Sequence, residues 1–146
     1  MKYLLSVLVL GIGLMGIAVH LAHAKKTEKG EQKVDSRVFE LRTYTAAPGK
    51  IDALNARFRD HTNKLFEKHG MTIIGFWMPI KQKEGEEKLI YILAYPSKEA
   101  ADKSWKAFRE DPEWQKVVKE TEKNGRLLAK PPESVYMAPT DYSPIK

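Results

Sequence analysis

The chain has no cysteine among its 146 residues, so neither a disulfide framework nor a thiolate metal site is available to it. Histidine is nearly as scarce, with four in all, and two of these (His20 and His23) fall in the first 24 residues. The nine glycines include no run or spacing that makes a phosphate-cradling loop, and no Gly-x-Ser-x-Gly elbow occurs. Charge of one sign does not cluster either. The net charge is +6, but cations and anions interleave, as in Glu84-Gly85-Glu86-Glu87-Lys88 and Glu120-Thr121-Glu122-Lys123. No Arg/Lys cluster with interspersed aromatics appears, which argues against nucleic acid as a partner.

What is present begins with a leader. Lys2 supplies a basic start, Leu4 to Val19 is an almost unbroken apolar run, and Ala22-His23-Ala24 has the small-x-small form of a signal-peptidase site. The expectation is an exported protein, periplasmic or secreted, cleaved after Ala24 and without stable membrane insertion afterwards. An uncleaved anchor is the alternative, because the apolar run approaches the ~20 residues of a spanning helix. Residues 25–36, KKTEKGEQKVDS, carry mixed charge and no periodic apolar residue, so they are expected to form a solvated linker. One domain is expected over residues 37–144.

Within that domain the apolar pattern gives six elements. Arg37 to Thr45 alternates as a strand, with Phe39, Leu41 and Thr43 on one face and Glu40, Arg42 and Tyr44 on the other. Gly49 to Lys68 reads as a helix through Ile51, Leu54, Phe58, Thr62 and Leu65, stopped by Gly70. Strands are expected at Thr72 to Ile80 and Lys88 to Tyr95, joined by a polar loop containing Gly85. Ser97 caps a helix that Asp111-Pro112 interrupts and restarts, and a short strand near Glu133 to Ala138 closes the order.

The order βαββαβ predicts an α+β, ferredoxin-like fold: a four-stranded antiparallel sheet with both helices on one face. One sheet face is then bare. The row Glu40, Arg42 and Tyr44 is assigned to that bare face, to be covered by a second copy of the chain.

Several stretches together resemble the NIPSNAP family of the dimeric α/β-barrel superfamily. They are Phe39-Glu40-Leu41-Arg42-Thr43-Tyr44 with Pro48-Gly49-Lys50, His69-Gly70 with Gly75-Phe76-Trp77, and Tyr91-Ile92-Leu93-Ala94-Tyr95. Trp105, Asp111-Pro112-Glu113-Trp114 and the tail Pro139-Thr140-Asp141-Tyr142-Ser143-Pro144 complete the set. The resemblance implies a ferredoxin-like subunit that pairs sheet to sheet into a dimeric α/β barrel. It implies no agreed enzymatic activity. Cofactor-free monooxygenases, haem-degrading enzymes and stress proteins share the wider fold, but a shared fold does not carry a reaction across.

Candidate site residues follow from chemistry. His61, placed between Phe58 and Leu65 on the buried stripe, is a candidate general base or an ordinary core histidine. His69, just before Gly70, reads as a helix C-cap, and the family resemblance adds it to the ligand-binding candidates. The two lie about 12 Å apart along a helix, so they do not share a metal ion, and no metal or other cofactor is called for. A haem held by one axial His is all that stays open. Arg42 and Tyr44 suit an anionic or phenolic ligand, or an ion pair between Glu40 and Arg42 across a dimer interface. Trp77, Phe76 and Tyr91 are candidates to wall a cavity for a flat ligand, and Trp105 is a candidate wall or core residue.

The functional expectation is a homodimer that holds a small apolar or aromatic molecule between helices and sheet. Two alternatives stand beside it. One is a cofactor-independent monooxygenase or isomerase with His61 as base and Arg42 or Tyr44 stabilising an enolate-like oxygen. The other is a structural or protein-interaction module with a filled core.

Overall fold

The computed structural model describes residues 37–146. The expected leader, its cleavage site and the expected linker all lie outside the described residues. Strands β1 (Val38–Thr45), β2 (Thr72–Trp77), β3 (Lys88–Tyr95) and β4 (Glu133–Met137) form one antiparallel sheet in the order β2-β3-β1-β4. Helices α1 (Ile51–Arg57) and α2 (Asn63–Lys68) connect β1 to β2, joined by a π-helical turn over Phe58–Thr62. Helices α3 (Lys98–Glu110) and α4 (Pro112–Thr121) connect β3 to β4. This is the expected ferredoxin-like α+β arrangement. Among the described residues, no helix is long and apolar enough to cross a membrane.

Local chemistry sets the element limits. The Ser97 hydroxyl accepts from the Ala100 N–H at 3.1 Å to start α3, and the Asp111 carboxylate accepts from the Glu113 N–H at 2.8 Å to start α4, with Pro112 in its first turn. Helix α2 ends in a Schellman motif. The Met71 N–H reaches back to the Phe66 carbonyl at 3.0 Å and the Gly70 N–H to that of Glu67 at 3.0 Å. Gly70 takes φ +73° to make that turn, a conformation in which any side chain is strained.

The π-helical turn decides which residues face the sheet. Leu54, Phe58, Thr62 and Phe66 are all buried and recur every four residues. In a plain α-helix that spacing drifts by about 40° per step away from the sheet. The wider turn cancels part of the drift, and its strain is met locally: the Asn63 N–H bonds the Phe58 carbonyl and the Thr62 hydroxyl donates to the Arg57 carbonyl at 3.1 Å. The expectation that His61 joins the buried stripe is therefore overturned. The sheet takes the four-residue phase, and His61 is exposed.

The faces of the sheet are also the reverse of the expectation for β1. Glu40, Arg42 and Tyr44 do not lie on the bare face. Register pairs them with Leu93, Tyr91 and Leu89 of β3, and these join Leu54, Phe58, Phe66, Trp105 and Phe108 in a core beneath the helices. The open face carries the other parity: Leu41, Ile90, Ile92, Val135 and Trp77. Trp77 is 49% and Val135 55% exposed there. A polar row can go inside because the Glu40 carboxylate finds its donors there, as described next.

Candidate functional site

Glu40 is the pivot of the covered face. Its carboxylate is fully buried and receives four donors. One oxygen accepts from the Tyr95 hydroxyl and from the Trp105 indole N–H, each at 2.7 Å. The other accepts from Arg42 Nη1 at 2.7 Å and from the Ser134 hydroxyl at 2.5 Å. These partners come from β1, β3, α3 and β4, so the carboxylate ties three strands and a helix together. Burial alone would raise its pKa. The donors from Ser134, Tyr95, Trp105 and Arg42 outweigh burial and hold it below the ordinary glutamate value. In turn, burial and the Glu40 carboxylate push the Tyr95 phenol far up, so it stays a donor.

Arg42 lies against two aromatic rings. Its guanidinium carbon lies 4.2 Å from the Trp105 ring centroid and 5.5 Å from that of Tyr44. Burial works against its charge, but the nearby Tyr44 and Tyr91 phenols and the Glu40 carboxylate win, and it remains charged. The expected ion pair between Glu40 and Arg42 exists, yet within one strand of one chain rather than across two copies. Two buried donors nearby have no partner: Arg42 Nε and the Tyr91 hydroxyl. Burial, then the adjacent Tyr44 phenol, drives the Tyr91 phenol well above its ordinary value.

Behind this polar knot the space between helices and sheet is packed with rings. Tyr91 contacts Tyr44, Phe58, Phe66 and Phe76 at centroid distances of 5.2–5.8 Å. The candidate residues separate accordingly. Arg42, Tyr44, Tyr91 and Trp105 come together on the covered face. Trp77 does not share a cavity with Phe76 and Tyr91, because it lies on the opposite side of the sheet. Strand β2 has a register shift between Ile73 and Gly75, and the Trp77 indole lies over Gly75, where a Cβ would sit 2.9 Å from the ring. His61 stands outside both groups.

His69 caps α2 as expected from its place before Gly70. Its Nε2 pairs with the Asp111 carboxylate at 2.7 Å, and the Lys68 ammonium meets the same oxygen at 2.8 Å. Hydrogen bonds from Lys68, then His69, then the Glu113 N–H hold the Asp111 carboxyl well below the usual range. This cluster fastens the end of α2 to the start of α4 and lies apart from Arg42. Among the described residues, no group of three or more His, Asp or Glu is placed to hold a metal ion.

On the open face, an apolar cavity of about 310 Å³ lies between the sheet and the C-terminal tail. Phe39, Ile74, Ile92 and Met137 form its floor, with Pro139 and Ile145 from the tail against them. Arg37 fixes that tail, donating through Nε to the Lys146 carbonyl at 2.7 Å.

Sequence reasoning missed Ser134, Tyr95 and Asp111 as partners. Tyr95 shares the strand parity of Tyr91, which was a usable signal. Ser134 and Asp111 reach their partners only through tertiary register, for which one chain offers no local sign.

Comparisons with known proteins agree with this architecture. The family model described as NIPSNAP matches residues 39–144. Among curated proteins, none matches the chain. A NIPSNAP family protein of unknown function from Agrobacterium tumefaciens superposes with a TM-score of 0.64 at 19% identity, covering 77% of this chain and 96% of that one. An uncharacterised NIPSNAP domain protein from Burkholderia xenovorans gives 0.61 at 20% identity, covering 73% and 98%. A monooxygenase from Streptomyces coelicolor, in complex with nanaomycin D, is similar at 0.50 with 13% identity, covering 75% and 92%. At these identities the structures speak for the fold alone.

Proposed function

The chain belongs to the NIPSNAP family, and from that membership we propose an exported protein that pairs two copies through its open sheet face and holds a small apolar or aromatic molecule there. One observation carries the reading: the open face carries apolar residues from all four strands, with Thr43 and Glu133 toward one end, and contains a cavity of about 310 Å³. That volume is near the lower end for small-molecule sites, which are mostly apolar with few polar groups. The exposed Trp77 and Val135 extend the apolar surface beyond the cavity, and a contiguous apolar patch of this kind calls for a cover. An apolar ligand is assigned to the open face because rings fill the apolar part of the space between helices and sheet. Export rests on the leader ending at Ala24.

Binding is tested with N-phenyl-1-naphthylamine, a neutral apolar fluorophore. The wild-type protein should give a saturable rise in fluorescence, and Ile92→Glu, which puts a charge into the cavity floor, should weaken it at least tenfold. Equal titrations for the two proteins would remove the cavity from the function.

A further inference from the structure

Donors outnumber acceptors in the corner formed by Arg42, Tyr44 and Tyr91. Glu40 engages Arg42 through Nη1 alone, and its two oxygens are already satisfied by four donors. The remaining edge of the guanidinium, Nε with Nη2, is the side-on fork that matches the two oxygens of a carboxylate. Nε is buried and has no partner. Directly opposite in the β1–β3 register stands Tyr91, whose hydroxyl is likewise buried without a partner. Tyr44 adds a third donor beside them, its ring 5.3 Å from that of Tyr91. Native proteins seldom leave such groups unpaired, and two in one corner point to a missing acceptor.

We propose that Arg42, Tyr91 and Tyr44 form a binding site for a small monocarboxylate, with Arg42 as the fork and the Tyr91 hydroxyl as the second anchor. The site is on the opposite side of the sheet from the apolar cavity and does not depend on it. Three features set the class of ligand. Arg42 can only donate, and the Tyr91 and Tyr44 hydroxyls are able to donate to the same group, so the ligand is an acceptor. Glu40 already neutralises much of the Arg42 charge, so a singly charged ligand costs less to bury than a doubly charged one, which disfavours phosphate. The rings of Tyr44, Phe58 and Tyr91 leave little width, so the carboxylate is carried on a small group. The Arg42 side chain keeps 14% exposure, so the corner is not sealed from solvent.

The test uses sodium acetate as probe, against sodium chloride at equal ionic strength, with binding read from protein chemical shifts and from contacts between the acetate methyl and aromatic protons. Saturable acetate binding should shift the Tyr91 and Trp105 resonances. Arg42→Lys, which keeps the charge but loses the fork, should weaken it at least tenfold. Tyr91→Phe should do the same while folding as well as the wild type, since it removes only an unpaired hydroxyl. Ile92→Glu should leave acetate binding unchanged, so failure here and failure of the open-face reading are told apart. No saturable binding, equal binding by Tyr91→Phe and wild type, or equal displacement by chloride would each overturn the proposal.

Discussion

On the helix-covered face of the sheet, a carboxylate, a guanidinium and three phenols lie under a layer of aromatic rings. On the open face, Leu41, Ile90, Ile92, Val135 and Trp77 meet no helix at all. The covered face uses polarity for specificity. Glu40 accepts from two residues of neighbouring strands and one of a helix, and only one arrangement of those elements satisfies it. The open face has no such bonds to complete, and its apolar residues gain only from being covered. Polarity inside and apolarity outside are therefore compatible in one small domain when the buried carboxylate has its donors.

The sharpest way to break this contrast is Glu40→Ala. It leaves Arg42 uncompensated and strands the Tyr95, Trp105 and Ser134 donors, so urea unfolding should show a loss of about 3–5 kcal/mol. Val135→Ser on the open face should change the stability of the isolated subunit by no more than about 0.5 kcal/mol. Comparable losses for the two would erase the distinction.

Acid titration sharpens the same contrast. The folded-state pKa of Glu40 lies below its ordinary 4.5, so its contribution is complete above that value and is lost as pH falls through the folded pKa. The stability difference between wild type and Glu40→Gln should thus be constant at neutral pH and shrink below about pH 4.5. Asp111 behaves with the same sign, its contribution fading as pH drops below its ordinary 3.8. A stability difference for Glu40→Gln that grows on acidification would contradict the pairing.

Smaller effects probe the π-helical turn that orients the covering helix. Thr62→Val removes the hydroxyl that donates to the Arg57 carbonyl and should cost about 1 kcal/mol in thermal or urea unfolding. His61→Leu should stay within about 0.5 kcal/mol, because the ring is exposed. A large loss at His61 would mean that the helix presents the other phase to the sheet.

Much of the fold was legible because it is written locally. Ser97, Asp111-Pro112 and Gly70 mark helix ends by chemistry that acts over three or four residues, and β3 runs from Lys88 to Tyr95 as its β-branched and aromatic content indicates. The faces of β1 were not legible in this way. Alternation separates Phe39, Leu41 and Thr43 from Glu40, Arg42 and Tyr44, but which row meets the helices depends on Trp105, Tyr95 and Ser134, up to 94 residues away. His61 failed for a related reason. Spacings of three and four both fit the apolar pattern near Phe58, and only a π-helical turn, which has no simple sequence sign, selects one. Tyr44 shows the consequence: changing it to Glu would strike the core rather than an interface between subunits.

The proposal that the open face takes a second copy is tested most directly by sedimentation equilibrium of the protein at micromolar concentration. The wild type should show the mass of a dimer, and Ile92→Glu should show that of a monomer with unchanged circular dichroism. A wild-type monomer, or a dimer that survives Ile92→Glu, would contradict it.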